Sequence, residues 1–264
     1  MRKLRWVAMG VLIATGAPMM FASPAQAPAA RARTAPALRY DVVASYRHDP
    51  DAFTQGLLFR DGFLYESTGR NGQSSLRKVR LETGEVVQHR TVEARYFAEG
   101  LVDWRNRLIQ LTWNTNVAFA YDLRSFALQE TFAFRGEGWG LTHDGKRLIM
   151  SDGTPSLRWL DPDTFKEQGR LPVTDGGMPV DDLNELEFID GRIFANVWLT
   201  DRIAVIDPAT GRVVSWLDLS ALRPRTLSNP DAVLNGIAYD AAGGRLVVTG
   251  KLWPQLFHIR LRTK

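Results

Sequence analysis

The chain has 264 residues, of which 45% are apolar and 23% charged, and a formal net charge of +4. That balance is too apolar for a disordered chain and ordinary for a folded one. Cysteine is absent, which excludes a disulfide scaffold, a thiolate metal site, an iron–sulfur cluster and a cysteine nucleophile.

The chain begins with three cations, Arg2, Lys3 and Arg5, followed by an apolar run from Trp6 to Ala22 and the small-x-small site Ala25-Gln26-Ala27. This order predicts a signal peptide over residues 1–27. The alternative is a retained anchor. The run falls short of the roughly 20 residues needed to span a bilayer, and Gly16 and Pro18 interrupt it, so cleavage and no remaining span are expected. Residues 28–38, rich in Ala, Pro and Arg, read as a mobile linker. The expected location is outside the cytoplasm, periplasmic or secreted. In an oxidising compartment a chain without cysteine has nothing to oxidise wrongly. Residues 1–38 hold five cations and no acid, which leaves 28 cations against 29 acids in residues 39–264. The part expected to fold is near neutral and makes no charge-based case for nucleic acid.

Residues 39–47, Arg39-Tyr40-Asp41-Val42-Val43-Ala44-Ser45-Tyr46-Arg47, form one strand-like segment ahead of a repeat. The repeat opens with Gln55-Gly56-Leu57, then Glu99-Gly100-Leu101, Trp139-Gly140-Leu141, Asn184-Glu185-Leu186 and Asn235-Gly236-Ile237. Its middle positions are 44, 40, 45 and 51 residues apart. A second apolar run begins at Leu64, Leu108, Leu148, Ile193 and Leu246, and a third follows in every unit. A fourth, alternating run closes the first four units, as in Glu85 to Val92 and Arg212 to Leu219. The runs are short, rich in β-branched and aromatic residues, and bounded by turns such as Arg60-Asp61-Gly62 and Asp190-Gly191. This is the signature of strands and hairpins. No segment after residue 38 carries a convincing helical period; Asp181 to Phe188 admits at most a short turn. Four strands at this spacing describe a propeller blade. The expected fold is all-β: a five-bladed β-propeller of four-stranded antiparallel blades over residues 39–264. The fifth unit stops after its third strand, so residues 39–47 are expected to complete that blade and remove the open edge.

Equivalent positions in a propeller form rings around its axis. The residues opening the units are one ring: Gln55, Glu99, Trp139, Asn184 and Asn235. A second column ends the second strands: Gly69, Trp113, Gly153, Trp198 and Lys251. Aromatic walls with a few convergent polar groups are the usual composition of a small-ligand pocket. Each feature also has a plain structural reading. Asn235 can serve only to satisfy backbone groups, the tryptophans can be packing between blades, and Lys251 can be solvated. Trp104, Trp159, Trp216 and Trp253 show no such alignment and read as core or surface. Glu99 stands at the start of an inner strand among aromatics. A desolvated carboxylate has a raised pKa and can exchange protons near neutrality. None of the four histidines lies in a metal-ligand spacing or beside a candidate serine, and there is no nucleophile elbow or phosphate loop. No metal or cofactor is called for, although Asp181, Asp182, Glu185 and Glu187 carry a weak calcium signal.

Several motifs lie in one order along the chain. They are Phe53-Thr54-Gln55-Gly56-Leu57, Glu66-Ser67-Thr68-Gly69, Phe97-Ala98-Glu99-Gly100-Leu101, Leu111-Thr112-Trp113, Gly136-Glu137-Gly138-Trp139-Gly140-Leu141, Ser151-Asp152-Gly153, Leu183-Asn184-Glu185-Leu186-Glu187, Asn196-Val197-Trp198 and Thr249-Gly250-Lys251-Leu252-Trp253-Pro254. Together they resemble the glutaminyl-peptide cyclotransferases of the plant and bacterial type, from about residue 40 to 262. The resemblance implies a five-bladed propeller that needs no zinc. It implies conversion of an N-terminal glutaminyl residue to pyroglutamyl with release of ammonia, on peptide or protein substrates. It implies Glu99 as the essential acid, and Phe53, Gln55, Phe97, Trp113, Trp139, Asn184, Trp198 and Lys251 as pocket residues. A monomer is expected. Two alternatives stay open: a non-catalytic propeller that binds peptides, and a calcium-dependent lactonase-like propeller using Glu99, Asn184 and Glu185.

Overall fold

A computed structural model of the chain describes residues 34–262. The signal peptide read over residues 1–27 and the start of the linker lie outside the described residues. Apart from one short 3-10 turn, Ser220–Leu222, the regular structure of the described residues is β.

Five four-stranded units follow one another along the chain. Blade one is Thr54–Arg60, Phe63–Thr68, Ser75–Val79 and Val86–Thr91. Blade two is Ala98–Trp104, Arg107–Thr112, Val117–Asp122 and Leu128–Ala133. Blade three is Leu141–His143, Leu148–Met150, Ser156–Leu160 and Glu167–Pro172. Blade four is Leu183–Ile189, Arg192–Val197, Arg202–Ile206 and Val213–Asp218. Blade five takes Leu234–Asp240, Arg245–Gly250 and Gln255–Leu261, and its outermost strand is Tyr40–Arg47 from the start of the fold. That strand runs antiparallel to the last one, with Tyr40 opposite Leu261 and Arg47 opposite Gln255. The innermost strands touch in the order of the blades, and blade five touches blade one, so the ring is closed.

The apolar side chains of the repeat build a separate core at each blade junction. Leu58, Tyr65, Leu101 and Phe119 fill the first junction. Val102, Ile109, Leu141 and Leu148 fill the second. Trp159 and Trp216 pack in the third, and Trp253 in the fourth. Leu57, Leu64, Ala238 and Val247 join blade five back to blade one.

The repeating triplet has a backbone cause. The pairing register shifts between Thr54 and Gly56, Ala98 and Leu101, Leu183 and Leu186, and Leu234 and Ile237. Four of the five ring residues therefore stand at a bulge, which re-aims a side chain out of the strand's ordinary alternation. The small middle residue lets neighbouring inner strands approach. A Cβ on Gly140 would lie 2.0 Å from the carbonyl oxygen of Asn184. Where the unit has Glu185 instead, its carboxylate spans the axis. It accepts the backbone N–H of Leu57 in blade one at 3.2 Å and of Ile237 in blade five at 2.8 Å. Asp181 to Phe188, read as admitting a short turn, instead enters the inner strand of blade four at Leu183.

The linker read over residues 28–38 ends earlier than the sequence suggests. Ala37–Leu38 lies parallel to Val213–Asp218 as a fifth strand of blade four. Ala35 donates its backbone N–H to Asp175 at 2.7 Å. The exposed edge of that blade offers unpaired backbone groups, and a local strand that pairs with them gains hydrogen bonds whatever its side chains. Composition alone does not show this.

Candidate active site

Phe53, Gln55, Phe97, Glu99, Trp113, Trp139, Asn184, Trp198 and Lys251 all line one cavity of about 210 Å³ at the end of the channel where the inner strands begin. Phe53, Phe97 and Trp139 come just before inner strands. Trp113, Trp198 and Lys251 come just after second strands. The two columns read from the repeat thus meet in space.

Side chains of the second strands hold the ring residues from behind. The Ser67 hydroxyl donates to the Glu99 carbonyl, and Gln110 donates to Ser67 at 2.8 Å. Ser151 does the same for the Asn184 carbonyl at 2.6 Å. In blade four the corresponding group is Asn196, whose side-chain oxygen accepts the Gly236 N–H at 3.0 Å. Gly153 has φ +77° and packs under Trp139, where an added Cβ would lie 2.8 Å from the indole ring. Gly69 likewise leaves room for Phe97, whose ring an added Cβ would meet at 2.3 Å.

Glu99 is the buried centre of the pocket, at 5% exposure. Gln55 Nε2 donates to its Oε1 at 2.9 Å. Asn235 Nδ2 donates in turn to Gln55 Oε1 at 3.3 Å and to the Thr54 carbonyl at 2.9 Å. This relay fixes which end of the Gln55 amide faces Glu99. Asn235 therefore serves as a support for Gln55, and it does not line the cavity. Burial pushes the pKa of Glu99 well above the usual carboxylate range; Lys251 opposes that and Glu137 adds to it. Lys251 is 4% exposed. Burial pushes its pKa down, against the pull of the Glu99 and Asp231 carboxylates, while Arg70 adds to the depression. Its Nζ lies 4.8 Å from the centre of the Phe53 ring. The buried Oδ1 of Asn184 has no hydrogen-bond partner. An unpaired buried acceptor is costly and uncommon, so this oxygen is set up to receive a donor.

Two features of the site are not legible in the repeat. Asp231 lines the cavity from the connection between blades four and five. That connection is unique, so no equivalent position in other units singles it out. Glu137 accepts the indole N–H groups of Trp113 and Trp139, both at 2.8 Å. It lies within a conspicuous motif but outside both ring columns.

Glu185 does not join Glu99 and Asn184. Both of its oxygens are taken by backbone N–H groups, and it is absent from the cavity lining. The ligand set of the lactonase-like alternative is therefore not assembled. Among the described residues, no helix is long and apolar enough to cross a membrane.

The family model for glutamine cyclotransferase matches residues 14–261. The chain belongs to the glutamine cyclotransferase family. It is 47% identical over 227 residues to a glutaminyl-peptide cyclotransferase of Arabidopsis thaliana, covering 84% of this chain and 71% of that protein. The crystal structure of Myxococcus xanthus glutaminyl cyclase superposes with a TM-score of 0.81 at 40% identity, covering 86% of this chain and 98% of that one. The family is thus established on the same five-bladed architecture that the repeat predicts.

Proposed function

We propose that this enzyme cyclises N-terminal glutaminyl residues of peptides or proteins to pyroglutamyl and releases ammonia, with Glu99 carrying the proton. The observation that carries this reading is the buried Glu99–Gln55 pair at the centre of an aromatic pocket, beside the unpartnered Asn184 oxygen. Family membership supports the reaction class.

Cyclisation needs a neutral α-amine to attack the substrate's own side-chain amide carbon. A carbon–nitrogen bond forms, and the carbonyl oxygen gains negative charge. Glu99, as carboxylate, accepts the proton that the amine loses and returns it to the amide nitrogen. The bond from carbon to that nitrogen then breaks, and ammonia leaves. A raised carboxyl pKa suits both steps, because the same group must be base and then acid near neutral pH. The ammonium of Lys251 is the charge available to stabilise the oxyanion. Asn184 Oδ1 accepts an N–H from the substrate amide. Phe53, Phe97, Trp113, Trp139 and Trp198 exclude water and hold the side chain curled towards its amine, which lowers the entropic cost of ring closure.

The test is ammonia release from a Gln-initiated dipeptide, with an Asn-initiated dipeptide as control. Release from the first and not the second is expected. No release from the Gln peptide leaves a peptide-binding propeller as the reading. The cationic start, apolar run and Ala25-Gln26-Ala27 site support a further proposal, that the enzyme is exported. N-terminal sequencing of the protein from an expressing bacterium should then begin at or near Pro28.

A further inference from the structure

The five aromatics of the pocket form an arc. Phe53 meets Phe97 edge-to-face at 6.1 Å, and Phe97 meets Trp113 at 5.9 Å. On the other side, Trp139 meets Trp198 edge-to-face at 5.6 Å. Between Trp113 and Trp139, the rings of blades two and three, the join is a carboxylate instead of a ring contact. One oxygen of Glu137, Oε2, accepts both indole N–H groups at 2.8 Å. Trp113 is 39% exposed, so packing alone leaves it free to turn. An indole N–H only donates, and a charged acceptor makes the stronger hydrogen bond.

We propose that Glu137 is the positioning residue of this pocket: its carboxylate ties Trp113 to Trp139 and so sets the width of the aromatic wall that folds the substrate side chain for ring closure. The inference rests on the cyclisation reading above. Glu137 touches no reacting atom; it acts through the two indoles. It also acts through its charge on Glu99. The groups that face Glu99 are Lys251, which favours the carboxylate, and Glu137, which disfavours it. Asp231 and Arg70 act on Lys251, in opposite directions. Glu137 thus has two separable effects, a geometric one and an electrostatic one.

Two variants separate them. Glu137→Gln keeps a side-chain carbonyl oxygen that can accept both N–H groups but removes the charge. Glu137→Ala removes both. The measurements are near-ultraviolet circular dichroism, sensitive to tryptophan packing, and kcat and KM for a Gln-initiated peptide across pH. Glu137→Ala is expected to change the tryptophan signal and to lower kcat/KM on the order of 10–100-fold, the scale of a misplacement of about 1 Å. Glu137→Gln is expected to keep the wild-type tryptophan signal and to move the acidic limb of kcat/KM to lower pH. A merely structural residue would not move that limb. An unchanged tryptophan signal with wild-type kcat/KM in Glu137→Ala would overturn the proposal. So would an unshifted limb in Glu137→Gln. If the wild-type enzyme itself releases no ammonia, the cyclisation reading fails, and the circular dichroism comparison still decides whether Glu137 holds the two indoles.

Discussion

Glu99→Gln is the substitution in which the geometry makes the sharpest demand. Gln55 Nε2 donates to Glu99 Oε1 at 2.9 Å, and a glutamine carbonyl in the same place can accept that bond. The replacement is isosteric, and Ser67 still holds the backbone of the residue through its carbonyl. A buried carboxyl with a raised pKa becomes a neutral amide, so burial no longer opposes a charge there. The melting temperature should therefore stay at the wild-type value or rise. What disappears is the ability to take a proton and give it back. General acid–base catalysis is worth roughly 10²–10⁴-fold, which is about 3–5 kcal/mol of transition-state stabilisation. Steady-state ammonia release from a Gln-initiated dipeptide should show kcat reduced by that factor, with KM within a few-fold of wild type. The wild-type enzyme should also lose kcat/KM as pH falls through the raised pKa of Glu99, since only the carboxylate can take the amine proton. Near-native turnover in Glu99→Gln would refute the reasoning, because no other carboxylate among the cavity-lining residues is buried.

Other consequences can be read at the bench. Lys251→Ala should lower kcat by on the order of 10²–10³-fold if the ammonium stabilises the oxyanion, whereas unchanged kcat would deny Lys251 that role. Glu185→Ala strips the acceptor from the N–H groups of Leu57 and Ile237, two buried donors worth about 1–3 kcal/mol each when left unpaired. Its melting temperature should fall well below that of Glu185→Gln, which keeps one acceptor oxygen; equal values would deny Glu185 its role as a tie between blades. His48 and Glu66 form a buried pair at 3.0 Å at the ring closure. Burial is the largest influence on Glu66 and would raise it, but His48, Arg77 and the Thr54 hydroxyl together outweigh burial and hold the carboxyl below its ordinary 4.5. Burial is likewise the largest influence on His48 and would lower it, but Glu66, the Trp253 carbonyl and Asp49 together outweigh burial and hold the imidazole above its ordinary 6.5. The Glu66 contribution is lost as pH falls through its lowered pKa, and the His48 contribution as pH rises through its raised one. The difference in melting temperature between wild type and Glu66→Gln should therefore be greatest between these two ordinary values, and a difference flat across pH would contradict the pair. Deleting residues 39–47 removes the outer strand of blade five, and the truncated chain should lose its cooperative melt.

The fold was legible because the repeat is a physical necessity of the ring. Four of the five units have a bulge that re-aims the ring side chain, and the small residue beside it lets inner strands approach; Gln55-Gly56, Glu99-Gly100 and Asn235-Gly236 record that need in residue types. The closing strand was legible for the same reason, since unit five ended one strand short. Seven of the nine pocket residues were legible because equivalent positions carried side chains that no apolar core would choose, whereas Phe53 and Phe97 lie outside both columns and came only from the family resemblance. The remainder depends on groups that the repeat does not index. Asp231 lies on a connection found once. Glu137 acts through the N–H groups of its neighbours, and spacing says nothing of where an indole N–H points. Glu185 looked like a candidate cation ligand, but the structure gives its oxygens to backbone N–H groups of blades one and five. Ala37–Leu38 adds a strand by backbone pairing alone, which Ala and Pro content conceals.

The central claim is that the substrate's own α-nitrogen closes the ring while the side-chain nitrogen leaves. A Gln-initiated peptide carrying an isotopic label only on its α-nitrogen tests this most directly. The account predicts unlabelled ammonia and a peptide product that keeps the label, has lost the mass of one ammonia, and no longer reacts with amine reagents. Labelled ammonia, or a product that retains a free α-amine, would contradict it.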